Sequence, residues 1–190
     1  MAARASSGAH GALAVQRHGS RKLEAATMIL SDMELAEWAA TRGIIPYEPG
    51  LVNPASVDLR WSGRFRVGSR SGWLDARETE SLLVMPGRTY LLDTLETVSL
   101  PSSLAGLMTL KSSTGRMGLL LSHAGWVDPG FIGTLSMVLS NGTQWPVKLS
   151  RGQKLAQIAV MRMSKEPARD YTLTGRYGGQ SEPTPAKDAL

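Results

Sequence analysis

The sequence contains no cysteine and only three histidines in 190 residues. Without cysteine there is no disulfide framework and no thiolate to act as nucleophile or metal ligand, and the redox compartment is left open. His10, His18 and His123 are too few and too scattered for a histidine metal cluster or a Ser-His-Asp triad. Long apolar runs are missing as well. None approaches the roughly 18–20 residues that span a bilayer, so no membrane partner is expected. There is also no dense Lys/Arg stripe, zinc-finger spacing or aromatic RNA-binding signature, so no nucleic-acid partner is expected. The cationic excess is uneven: of a net charge of +5, residues 1–27 carry +3 (Arg4, Arg17, Arg21 and Lys22 against Glu24), which leaves +2 for the rest. A mildly basic body suits a small anionic ligand such as a nucleotide.

What is present fits one domain with tails. Residues 1–27 are rich in Ala, Gly, Ser and Arg and have no apolar periodicity. They read as a disordered or misassigned extension, with a transit peptide as the competing reading. Met28-Ile-Leu-Ser-Asp32 begins like a domain. Ser31 with Glu34 makes a capping box, Leu35, Trp38 and Ala39 form one apolar helix face, and Gly43 ends the helix. Ile44 to Pro54 holds three prolines and reads as an extended linker. From Ala55 the pattern becomes short strands with frequent turns. Ser56–Trp61 is interrupted at Gly63 and resumes as Arg64–Val67, and Ser81–Met85 runs into Pro86-Gly87. Arg88–Leu92, Thr94–Leu100, Leu104–Leu110, Leu135–Leu139, Val147–Leu149 and Leu155–Met163 follow, with Asn141-Gly142 as a hairpin turn. Such spacing predicts a mainly β fold, a sandwich or a closed barrel-like sheet, with helices as accessories. The polar stretch from Ser164 onward, with Gly175-Arg-Tyr-Gly-Gly-Gln180, reads either as a disordered tail or as a mobile arm that closes over an anionic ligand.

Lys111-Ser-Ser-Thr-Gly-Arg116 places hydroxyls and two cations at a predicted helix start. Unpaired N–H groups there, with Ser112, Ser113 and Thr114 as caps and donors, suit phosphate, and they equally suit a capped surface turn. A lone carboxylate follows in Val127-Asp128-Pro129-Gly130, a sequence that also makes an ordinary turn.

Taken in order, Asn53-Pro-Ala-Ser-Val-Asp-Leu-Arg60, Lys111–Arg116, Ala124-Gly-Trp-Val-Asp-Pro-Gly-Phe131, Leu155-Ala-Gln157 and Arg176-Tyr-Gly-Gly-Gln-Ser-Glu-Pro-Thr-Pro185 resemble the dCTP deaminase branch of the dUTPase superfamily. The likeness covers about residues 28–187. It implies a distorted, dUTPase-like β-barrel over residues 28–165, with a short N-terminal helix and an arm over 166–190 that closes on the nucleotide. It also implies a cytoplasmic homotrimer with sites between subunits, and a pyrimidine deoxynucleoside triphosphate (dCTP, dUTP or a modified pyrimidine) carrying Mg²⁺ through its phosphates, with no direct metal ligand. The implied catalytic residues are Asp128, Ser112 and Arg116. The implied nucleotide-binding set adds Lys111, Ser113, Thr114, Gly115, Phe131, Ser136, Met137, Val138, Gln157, Tyr171, Arg176 and Gln180. Lys111 stands where the family usually has Arg, which replaces a planar fork by a point charge.

One departure bears on the reaction. The family deaminates with a glutamate on the strand after the aspartate turn, and the matching position here is Val138. Valine carries no proton, and general acid–base help is typically worth about 10²–10⁴-fold. The segment between Gly118 and Asp128 is also one residue short of the family's usual length, and His123 within it is either structural or a replacement acid or base. The expected reaction is therefore hydrolysis of the α–β phosphate bond to a monophosphate and pyrophosphate. Its rivals are deamination of dCTP to dUTP and a non-catalytic trimeric nucleotide-binding regulator.

Overall fold

The computed structural model describes residues 29–122 and 125–187. The expectations for residues 1–27 and for His123 lie outside the described residues. Helix α1 spans Asp32–Trp38. Its entry is held by Glu34, whose carboxylate accepts from the Ser31 backbone N–H at 2.9 Å and from the Ser31 hydroxyl at 3.0 Å. Leu35, Trp38 and Ala39 are buried, as their spacing predicts. The helix then widens and unwinds through Ala39–Gly43, and the Trp38 indole donates to the Ser99 carbonyl at 3.1 Å, pinning the helix to the sheet.

Strands β1 (Ile44–Ile45) and β2 (Val52–Asn53) flank the proline-containing linker. Then come β3 (Ser56–Ser69), β4 (Gly72–Trp73), β5 (Arg77–Glu78), β6 (Ser81–Val84), β7 (Thr89–Ser99) and β8 (Leu104–Leu110). The short helix α2 (Ser112–Gly115) leads into β9 (Leu119–Ser122), β10 (Trp126–Val127), β11 (Ile132–Asn141), β12 (Val147–Ser150) and β13 (Lys154–Arg162), and helix α3 (Tyr171–Thr174) lies beyond them. The main sheet runs β10-β8-β13-β3-β7-β11-β9 and curls into an antiparallel half-barrel. The mainly β architecture and the N-terminal helix agree with expectation.

Two strand boundaries differ from the sequence reading. Gly63 does not end a strand, and neither does Leu92: β3 and β7 run unbroken for 14 and 11 residues. The reason is that β3 serves two neighbours. It pairs with β13 through Val57–Arg60 and with β7 through Trp61–Val67, and its register shifts between Trp61 and Phe65. A bulge bends one strand from one wall to the next without breaking it.

The hairpin expected at Asn141-Gly142 is also corrected, because β12 pairs with β6 and not with β11. Asn141 is buried, and its amide donates to Val84 O at 2.7 Å and Trp145 O at 2.8 Å. Those bonds carry the chain from β11 across to β6. Along β11, Met137 and Leu139 face the core, while Ser136 and Val138 are only half-buried on the opposite face.

Candidate functional site

That opposite face of β11 is one wall of a cavity of about 360 Å³. This is a size that suits a small organic ligand. Val138 lies between Leu91 of β7 and Ser122 of β9 in the sheet, and both Val138 and Leu91 line the cavity. Its floor continues through Met108 and Leu135, and Trp73 and Trp126 contribute from β4 and β10.

Asp128 reaches the cavity from the turn between β10 and β11, and its Oδ1 accepts from the Trp126 indole at 3.0 Å. Asp128 is solvent-exposed, and it is the only carboxylate among the described lining residues. The turn closes with Phe131 N–H donating to Asp128 O at 3.1 Å, and it is tied to the end of β7 by Gly130 N–H donating to Leu100 O at 3.0 Å. Phe131 itself is buried, with its ring 5.5 Å from that of Tyr171.

Tyr171 arrives on the arm, which is folded onto the sheet. Asp170 starts α3: its carboxylate accepts from the Ser102 hydroxyl at 2.6 Å and from Thr172 N–H at 3.1 Å. The hydroxyls of Ser102 and then Thr172 hold its pKa below the usual carboxylate range. Further on, Gly179 N–H donates to Ile132 O at 2.7 Å, Thr134 N–H donates to Gln180 O at 2.9 Å, and the Gln180 amide donates back to Thr134 O at 2.5 Å. The arm thus pairs, strand-like, with the stretch of β11 that β9 leaves uncovered. Two glycines admit it. A Cβ at Gly130 would lie 2.9 Å from the Asp170 carboxylate, and one at Gly133 would lie 2.9 Å from Gln180 O. Both also hold positive φ, at 84° and 153°. Past the glutamine, Thr184 N–H donates to Ser136 Oγ at 3.3 Å, and Arg66 of β3 donates to Pro183 O at 2.8 Å.

Behind Ser136 lies its register partner Asp93, which is fully buried. The Ser62 hydroxyl donates to it, and the Arg64 guanidinium lies 2.5 Å away. Burial outweighs both partners and pushes its carboxyl up to about 6.

Of the residues expected in the site, the cavity therefore gathers Asp128, Phe131, Ser136, Val138, Tyr171 and Gln180. Met137 faces the core instead, since the strand alternates. Arg176 is exposed on the arm and is not a lining residue. Lys111, Ser112, Ser113, Thr114, Gly115, Arg116 and Gln157 form a second group outside the cavity. There the N-cap of α2 is Lys111 rather than a serine, and Thr114 is buried. The Lys111 ammonium pairs with buried Asp58, which also accepts from Asn53 at 2.9 Å and lies 3.3 Å from Lys154. Gln157 lies beside that pair, between Asp58 and Thr109 in the sheet. The hydroxyls of Ser112 and Ser113 and the Arg116 guanidinium are exposed and have no partner among the described residues. No lysine or arginine is among the described residues that line the cavity.

Sequence reasoning did not select Trp73, Leu91, Met108, Trp126 or Tyr177 for the site, and all five line the cavity. Trp126 and Tyr177 stand inside the motifs that carry the resemblance, so an aromatic next to a motif residue was the available signal. Nothing in sequence pointed to Trp73.

Residues 29–163 match the family model described as dCTP deaminase-like. Among the most similar relatives, one from Rhodococcus jostii (strain RHA1), called dCTP deaminase, dUMP-forming, is 38% identical over 184 residues, covering 86% of this chain and 97% of its own length. A protein of the same name from Acidothermus cellulolyticus is 36% identical over 181 residues, covering 84% of this chain and 95% of its own. Among solved structures, the 2′-deoxycytidine 5′-triphosphate deaminase from Agrobacterium tumefaciens superposes with a TM-score of 0.63 at 23% identity. That likeness is one of fold, covering 73% of this chain and 49% of that one, so the chain spans about half its length.

Proposed function

The chain belongs to the dCTP deaminase-like family, and from that premise we propose that it hydrolyses pyrimidine deoxynucleoside triphosphates between the α and β phosphates. The observation that carries this reading is the carboxylate inventory of the cavity: Asp128 is there, and Val138, which the motif match sets against the family's deaminating glutamate, adds none. Attack at phosphorus needs one base to orient water, together with cations that neutralise the developing charge. In this reading Asp128 is that base, and its exposure and its bond from the Trp126 indole support the role. Replacing the amine of cytosine needs in addition a group that moves protons to the leaving ammonia, and Val138 offers none.

The cations must come from elsewhere. Ser112, Ser113 and Arg116, exposed and without a side-chain partner among the described residues, form a donor cradle outside the cavity of their own chain. A second copy that brings its cradle to this cavity completes the site, as in a homotrimer with sites at subunit boundaries. The edge of the sheet supports such an assembly, because Trp126 and its register partner Leu107 are 57% and 38% exposed side by side. No group of three or more His, Asp or Glu among the described residues is placed to hold a metal ion. Mg²⁺ enters this reading, as the family resemblance implies, bound to the phosphates, where it would neutralise charge.

The names of the relatives favour a second reading, deamination of dCTP. Going from dCTP to dUMP removes both an amino group and two phosphates, so those names contain the hydrolytic half as well. Incubation with dCTP and with dUTP, assayed for ammonia and for pyrophosphate, separates the two. Pyrophosphate from dUTP without ammonia from dCTP is the expected result, and ammonia without pyrophosphate overturns it. Tight binding with neither product would instead leave a nucleotide-binding regulator.

A further inference from the structure

The inner wall of the cavity is aliphatic. Val138 and its cross-strand partner Leu91 stand on one face of the sheet, and Met108 and Leu135 extend the same surface. Two of the polar side chains beside this wall make bonds between the arm and β11. Ser136 Oγ accepts from Thr184 N–H at 3.3 Å, and the Gln180 amide donates to Thr134 O at 2.5 Å. A ligand edge pressed against Val138 and Leu91 meets carbon, and a polar group seated there loses its water without a hydrogen-bond partner from those two side chains.

A pyrimidine joined to its sugar through N1 turns C4 and C5 away from the sugar. C4 carries oxygen or nitrogen in every natural pyrimidine nucleotide, so C5 is the position that can offer carbon to such a wall. The geometry points to selection for deoxynucleoside triphosphates whose pyrimidine bears an alkyl group at C5, with Val138 and Leu91 as the specificity-determining contacts. The inference rests on the pyrimidine-triphosphate reading above and names the substrate class of that same site. It also gives Val138 a role of its own: the side chain that cannot move a proton is one that can bury a methyl group.

The test compares ligand pairs that differ only by that methyl. Non-hydrolysable α,β-imido analogues of 5-methyl-dCTP and dCTP, and of dTTP and dUTP, are titrated into the full-length protein by calorimetry. The methylated member of each pair should bind about fourfold more tightly, as expected for one buried CH₂ group. Val138→Thr keeps the shape and places a hydroxyl on the wall, and it should bring both ratios close to one, with a thermal melt confirming the fold. Equal or tighter binding of the unmethylated member overturns the inference, and so does a methyl preference that survives in Val138→Thr. Pyrophosphate release from dTTP and dUTP is measured in parallel. A methyl preference in binding without pyrophosphate sinks the hydrolase reading alone, whereas pyrophosphate without a methyl preference sinks the selectivity alone. If no analogue binds, both fall.

Discussion

Lys111→Met tests where the charge of the first cradle residue is used. Its ammonium is paired with Asp58, whose side chain is only 4% exposed, while Lys111 itself is 21% exposed. Deleting one partner of a buried ion pair typically costs about 3–5 kcal/mol, because the other charge is stranded. Here Asp58 keeps Asn53 at 2.9 Å and Lys154 at 3.3 Å, so the expected loss is smaller, about 2 kcal/mol. For a domain of this size that corresponds to a Tm about 4–8 °C lower. Urea and thermal melts of Lys111→Met, Asp58→Asn and the double variant close a cycle that isolates the pair. The double variant should be less destabilised than the sum of the single changes. Nucleotide titration of the same proteins supplies the functional arm. Because Lys111 is neutralised by Asp58 and Arg116 has no ionic partner among the described residues, Arg116→Met should weaken triphosphate binding more than Lys111→Met does. A Lys111→Met protein that melts within a degree of the wild type would show that Asp58 does not hold this lysine. The reverse order of affinities would return Lys111 to the phosphates.

Asp93 makes stability depend on pH in a defined direction. Its pKa rises on folding from 3.8 to about 6, so its contribution is fully present below pH 4 and lost as pH climbs through 6. A rise of that size corresponds to about 3 kcal/mol. Asp93→Asn should therefore gain about that much on the wild type between pH 3 and pH 7, read from urea midpoints, and a constant difference across the range would refute it. Asp128→Asn keeps an acceptor for the Trp126 indole but loses the base, so pyrophosphate release should fall about 10²–10⁴-fold with binding little changed; undiminished turnover would remove Asp128 from the chemistry. Asp170→Ala removes the Ser102 bond and the cap of α3. Loss of a cap worth about 1 kcal/mol should speed proteolysis and amide exchange across residues 171–187 about fivefold, and unchanged exchange would mean the arm is held without it.

Much of the fold was legible because its signals are local. The Ser31–Glu34 entry to α1, its apolar face and the Pro86-Gly87 turn each depend on residues within a few positions of one another. Strand continuity was less legible. Gly63 reads as a break in a window of ten residues, and becomes a bulge only once β13 and β7 both pair with the same strand. Asn141-Gly142 has the residues of a hairpin turn, yet the Asn141 side chain bonds Val84 and Trp145, and the following strand goes to β6.

The candidate site divides along the same line. By itself the sequence determined which chemistries are unavailable, which motifs occur and in what order, and that position 138 holds no carboxylate. Those are properties of residue identity and short spacing, and no fold can change them. Only the tertiary structure decided which motifs share a cavity. It brought Asp128, Val138, Tyr171 and Gln180 together, placed Met137 in the core, and left the Lys111–Arg116 loop outside with its lysine bound to Asp58. Distance in space follows from strand pairing across many residues, and a motif carries no record of its distant neighbours.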